Sequence, residues 1–215
     1  MNNDLDAIEI RVLGCLMEKE LATPEYYPLS LHALVNACNQ KTNRAPVMHL
    51  DEAAVHAALR SLGERRFVYR SDAGRVPKFW QAFAKDHDLG GRESALLSVL
   101  LLRGPQTAGE LRTRADAMCP FENLEQVTAS LDHLTAAGLV AQLPRQPGQK
   151  EQRSVHLLAG AALREQAVAV EPDRAVPLPV PADARLTELE RVVAALRDEL
   201  AQVKGEVAAL RQSLA

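Results

Sequence analysis

The feature that most constrains this chain is that part of it is written twice. The segment VHAALRSLGERRFVYR from Val55 lines up with VTASLDHLTAAGLVAQ from Val127, placing Val55, Ala57, Leu59, Leu62 and Val68 on Val127, Ala129, Leu131, Leu134 and Val140 at an offset of 72. Upstream, EIRVLGCL from Glu9 matches ESALLSVL from Glu93 at an offset of 84. A duplicated unit fixes domain count and topology together. The difference of 12 between the offsets assigns extra loop residues to the first copy.

Within each copy, apolar residues recur every three or four positions and then give way to short β-prone runs, the pattern of three helices followed by two strands. In the first copy the helices are predicted near Leu5–Lys19, Ser30–Cys38 and Asp51–Glu64, with Ser30 and Asp51 as N-caps. The strands are FVYR and VPKFWQAF, joined by SDAGR, whose Asp-Ala-Gly suits a turn. In the second copy the helices are predicted near Arg92–Arg103, Thr107–Met118 and Asn123–Ala137, with Gly138 as a left-handed terminator. Its strands, LVAQL and RSVHLL, flank the loop PRQPGQKEQ. Three helices and a hairpin form a winged helix, a helix-turn-helix with an added wing. The expected fold is therefore mainly α with small β-hairpins: tandem winged-helix domains over residues 1–88 and 89–160, then a C-terminal coiled-coil helix.

A short helix is expected near Ala161–Val170, and the Pro-rich stretch EPDRAVPLPVPADA reads as an extended linker within residues 161–184. Over residues 185–215, Leu186, Leu189, Val193, Leu196, Leu200, Val203, Val207, Leu210 and Leu214 alternate spacings of three and four without a break. That is the a/d seam of a coiled coil, narrower than the apolar face of a helix packed on its own domain. With Leu186 at a, Glu199 and Glu206 at g face Lys204 and Arg211 at e of a parallel partner, whereas an antiparallel pair opposes glutamates. The seam thus predicts a parallel homodimer, and its mixture of Leu and Val also allows a trimer.

Composition limits the function classes. With 47% hydrophobic and 25% charged residues the chain reads as folded and soluble. MNNDLDAIEI lacks the basic and apolar regions of a signal peptide, and no apolar run is long enough for a membrane span, so a cytosolic location is expected. Cys15, Cys38 and Cys119 contain no CxxC pair, and the six histidines show no metal-ligand spacing. No GxSxG, HExxH, P-loop or GxGxxG motif is present. Neither a cofactor, a metal nor an enzymatic activity is expected.

A net charge of -3 excludes a globally basic nucleic-acid binder, so any such contact must be local. The third helices present acidic residues, Glu52 and Glu64 in one copy and Glu125 and Asp132 in the other, which phosphate repels. The wings differ. Residues 65–78 carry Arg65, Arg66, Arg70, Arg75 and Lys78 against Asp72 alone, and the second wing carries Arg145, Lys150 and Arg153 against Glu151. Such cations can track a phosphate backbone or simply guard edge strands against aggregation. Lys41 and Arg44, in the polar loop NQKTNRAP, form a further candidate surface. Duplex DNA bound through the wings is the leading expectation, and a protein partner bound through the winged-helix surfaces is its rival.

The segments VLGCLMEKELATPEYYPLSLHALVNACNQKTNRAPVMHLDEAAV and LLLRGPQTAGELRTRA resemble the YceH-type family of uncharacterised bacterial proteins, with the likeness covering Leu5 to Leu158. The resemblance implies a tandem winged-helix fold and a bacterial cytosolic origin. It transfers no catalytic residue, and DNA binding by the family is itself an analogy from fold.

Truncation after Val170 is expected to give a monomer by analytical sedimentation while the full chain sediments as an oligomer. Equal masses for the two would refute the seam.

Overall fold

The computed structural model describes residues 4–145 and 151–159. Lys150, the helix expected near residues 161–170, the Pro-rich linker and the heptad seam from Leu186 to Leu214 lie outside the described residues. The protein is mainly helical with small antiparallel sheets. The first half holds helices α1 (Ala7–Ala22), α2 (Leu31–Cys38) and α3 (Glu52–Glu64), strands β1 (Leu29–Ser30), β2 (Val68–Ser71) and β3 (Lys78–Gln81), and the one-turn helix α4 (Phe83–Asp86). The second holds α5 (Gly91–Arg103), α6 (Ala108–Ala115), α7 (Leu124–Ala136), β4 (Val140–Gln142) and β5 (Ser154–His156).

Local chemistry sets these boundaries. Asp6 caps α1 by accepting from the Ile8 and Glu9 N–H groups, and Glu9 returns a bond from the Asp6 N–H at 2.8 Å. Thr107 and Glu110 make the same reciprocal box at α6. Ser30, Asp51 and Asn123 cap α2, α3 and α7 through single side-chain bonds. Each box satisfies helical N–H groups that have no partner within the helix.

Both first helices are buried around nearly their whole circumference. Every residue of α1 from Glu9 to Glu18 is buried, as is every residue of α5 from Ser94 to Leu102. The two helices pack against each other at Gly14, where an added Cβ would stand 3.0 Å from Leu101 Cβ and from the Leu102 side chain. Gly14 therefore brings the two backbones close, and one continuous apolar core runs from Leu13 and Leu16 through Leu97 and Leu100 to Leu131 and Leu134. Leu5 closes the far edge, its N–H donating to Leu158 C=O at 2.7 Å beside the parallel bridge between Leu5 and Ala159.

The first sheet has the antiparallel order β1-β3-β2, with Leu29 opposite Phe79 and Tyr69 opposite Trp80. Strand β1 has no sequence signal because two residues cannot display alternation. In the second half the same position, ahead of α6, is a single bridge in which Gln106 and Ser154 exchange backbone bonds of 3.0 and 2.8 Å. The run VPKFWQAF also departs from expectation by leaving the sheet at Gln81. Gln81 Oε1 accepts from the Ala84 N–H at 2.8 Å, which turns the chain into α4 and buries Phe83 edge-on to Phe67.

Gly14→Ala is expected to lower stability by about 1–2 kcal/mol in equilibrium urea unfolding, because forced overpacking outweighs the gain in helix propensity. An unchanged midpoint would show that α1 and α5 separate without cost.

Candidate nucleic-acid interface

Helix α3 ends in a Schellman turn: the Phe67 N–H donates to Leu62 C=O at 2.9 Å and the Arg66 N–H to Gly63 C=O at 2.9 Å. That motif requires the residue after the C-cap to be left-handed, and Arg66 has φ 65°. Helix α7 ends in the same two bonds, Leu139 N–H to Leu134 C=O and Gly138 N–H to Thr135 C=O, with φ 71° at Gly138. The second copy thus fills this position with the residue that tolerates it, and the first fills it with an arginine. A left-handed non-glycine residue stores backbone strain, and such strain collects at functional positions.

Arg66 lies two residues ahead of β2, where the chain passes from α3 into the hairpin β2–β3. With Arg75 and Lys78 it is exposed and engaged in no ion pair or side-chain hydrogen bond among the described residues. The other two hairpin cations are committed. Arg70 pairs with Asp72 at 2.7 Å in the open, and Arg65 lies 3.9 Å from Glu9 while donating to Asp4 C=O at 3.1 Å. Three of the five expected cations therefore remain available on one hairpin.

The hairpin β4–β5 is weaker. Arg145 is exposed, whereas Arg153 is held by both oxygens of Glu110, at 2.8 and 3.1 Å, and by Pro105 C=O at 2.9 Å. Arg153 therefore ties β5 to α6 as a structural clasp.

In the NQKTNRAP loop the expectation divides. Lys41 is exposed. Arg44 is a correction: its side chain is fully buried and makes a two-pronged pair with Glu18, Nη1 to Oε1 at 3.0 Å and Nη2 to Oε2 at 2.7 Å. It also donates to Ala37 C=O, Asn43 C=O and Gln40 Oε1. Arg11, on the same face of α1, donates to Cys38 C=O at 3.0 Å and Pro46 C=O at 2.6 Å. The two guanidinium groups thus fasten the α2–α3 loop to α1. The buried glutamate that claims Arg44 lies 26 residues away in sequence. Glu18 is one charge among several on an otherwise ordinary helix, so spacing carries no signal for the pair.

Burial raises the Glu18 pKa, but the Arg44 hydrogen bond and the charges of Arg44 and Lys19 outweigh it and hold the carboxyl below its usual range. Close by, the hydrogen bond with Cys15 and then burial push the Cys38 thiol well up. A cavity of about 120 Å³ opens beside Arg11. Its wall is mostly apolar, including Ile10, Met48, Leu101 and Val155; Arg11 and His156 are its ionisable lining groups, and no carboxylate lines it. Among the described residues no group of His, Cys, Asp and Glu is arranged to hold a metal ion, and no helix is long and apolar enough to cross a membrane.

Residues 5–149 match a family described as a protein of unknown function, DUF480. A UPF0502 protein of Solibacter usitatus is 47% identical over 95% of both chains. Another, from Geobacter metallireducens, is 50% identical over 90% of both, and one from Citrifermentans bemidjiense is 42% identical across the full length of both.

Glu18→Gln leaves a buried guanidinium without its counter-charge and is expected to cost about 3–5 kcal/mol in chemical unfolding at neutral pH. Because the folded pKa of Glu18 lies below its unfolded value, the stability it supplies is complete above the ordinary carboxylate range and lost as pH falls through the lowered folded value. The variant should therefore show a flatter acid limb than the parent. Parallel acid limbs would mean that the pair is not coupled to folding.

Proposed function

The chain belongs to the DUF480 family of proteins of unknown function and is similar to UPF0502 proteins, and from this premise we propose that it is a non-enzymatic tandem winged-helix protein that grips duplex DNA through the hairpin β2–β3. The YceH-type identity read from segments of both repeats is part of this reading, as is a cytosolic location. The observation that carries it is Arg66. An exposed cation stands, in a strained left-handed conformation, where the other copy has Gly138. Retaining it costs stability, and its charge, beside the uncommitted Arg75 and Lys78, is the compensating gain.

The hairpin follows α3 as a wing follows a recognition helix, and wing cations characteristically lie along phosphates. Helix α3 presents Glu52 and Glu64 against Arg60 on its exposed face, so groove insertion contributes little and phosphate contact carries the affinity. The parallel pairing expected from the heptad spacing of Leu186–Leu214 would put two hairpins on one assembly and raise affinity without a new contact wherever both reach DNA. A trimer is the other state the seam allows.

A second reading, a protein-binding module, draws on α7. Leu124 is 48% exposed at its start, among the exposed acids Glu122, Glu125 and Asp132. That surface suits a basic, partly apolar protein.

Binding of the full chain to duplex DNA across a salt series separates the two readings. Affinity should fall as salt rises, and replacing Arg66, Arg75 and Lys78 together by alanine should reduce the logarithmic salt slope by about 1 per cation. Arg66→Gly should weaken binding while raising stability by about 1 kcal/mol, since only the strain and the charge are removed. No binding at low salt to random or genomic duplexes would sink the DNA reading.

A further inference from the structure

The wing carries a second feature that phosphate contact does not use. In the sheet β1-β3-β2, Val68, Phe79 and Gln81 are buried on the inner face, so alternation places Tyr69, Lys78 and Trp80 on the outer face. Tyr69 and Trp80 are cross-strand partners with ring centroids 6.0 Å apart and planes inclined by 25°. Tyr69 is 44% exposed and Trp80 is half-buried. Lys78 lies two residues along the same face, and Arg75 stands at the turn of the same hairpin.

Cross-strand aromatic pairs stabilise a hairpin wherever they point. What distinguishes this pair is its surroundings: a stack of two nearly parallel rings, exposed at Tyr69, with uncommitted cations on the same hairpin. That combination matches a nucleic-acid strand whose bases are unpaired, because every base has a π-face that extends such a stack while its phosphates meet lysine and arginine. An intact duplex keeps those faces stacked on one another, and its minor groove, about 6 Å wide, is too narrow to admit two stacked rings.

We propose that Tyr69 and Trp80 form a stacking platform for unpaired bases of single-stranded DNA, so that this hairpin holds melted or gapped DNA more tightly than intact duplex. The proposal rests on the reading that the hairpin cations contact DNA phosphates.

Trp80 is the only tryptophan in the chain, which makes its emission a direct reporter. The full-length protein would be titrated with a short mixed-sequence DNA strand, with the corresponding duplex and with the RNA strand of the same sequence. Fluorescence anisotropy of labelled strands would be followed in parallel. The single DNA strand is expected to bind more tightly than the duplex and to quench Trp80. Tyr69→Ser should weaken single-strand binding about tenfold while leaving duplex binding within twofold. Trp80→Phe, which keeps a ring, should retain more single-strand affinity than Trp80→Leu. Thermal melts of each variant would establish that it folds. Duplex bound as tightly as the single strand, with Trp80 emission unchanged, would overturn the platform and leave phosphate gripping intact. Tighter binding of RNA than of single-stranded DNA would also overturn it. Failure of all three nucleic acids to bind at low salt would remove the platform together with the DNA reading beneath it.

Discussion

The close approach of α1 and α5 is the constraint on which the rest of the described structure depends. Each is the first helix of its repeat, and each is buried around nearly its whole circumference. A helix enclosed in this way cannot complete its burial against its own repeat alone, so each copy supplies the other's missing wall. Gly14 sets the distance, because a side chain there would meet Leu101 and Leu102 at 3.0 Å. From this shared centre, α2 and α3 lean on one side and α6 and α7 on the other, leaving the hairpins at the periphery.

Around that centre the charged groups divide into two populations. Glu18 with Arg44, and Arg153 with Glu110, are closed into paired geometries that fasten loops and strands to helices. Arg66, Arg75 and Lys78 stay in solvent. The division matters because composition counts both alike: a net charge of -3 describes neither the locked interior pair nor the free hairpin edge. The functional reading therefore rests on which cations are uncommitted, a property that only the fold reveals.

Much of the local architecture was legible in the residues themselves. Ser30, Asp51, Thr107 and Asn123 lie at helix starts because short oxygen-bearing side chains satisfy N–H groups close in sequence, and Gly138 ends α7 because few other residues accept its backbone angle. Those are local rules, readable from neighbours. Strand β1 escaped because its pairing with β3 is non-local and only two residues long. The burial of Arg44 escaped for the same reason, since this loop residue finds its carboxylate partner on α1, 26 residues away. Arg66 is a different case. The repeat alignment sets it opposite Gly138, so the offset of 72 contained the signal, but the angle that gives it meaning had to be seen in the turn.

The clasp between Leu5 and Leu158 bears on how such a chain is made. Synthesis runs from the N-terminus, so α1 emerges long before α5, and Leu5 emerges before the carbonyl that receives its N–H. Until the second repeat follows, the face of α1 around Gly14 has no partner, and apolar surface left waiting in this way invites non-native association. Contacts that span almost the whole described chain also make folding slow relative to its helical content. The duplication thus sets an order in time for burial: α1 can complete its enclosure only once α5 has been made.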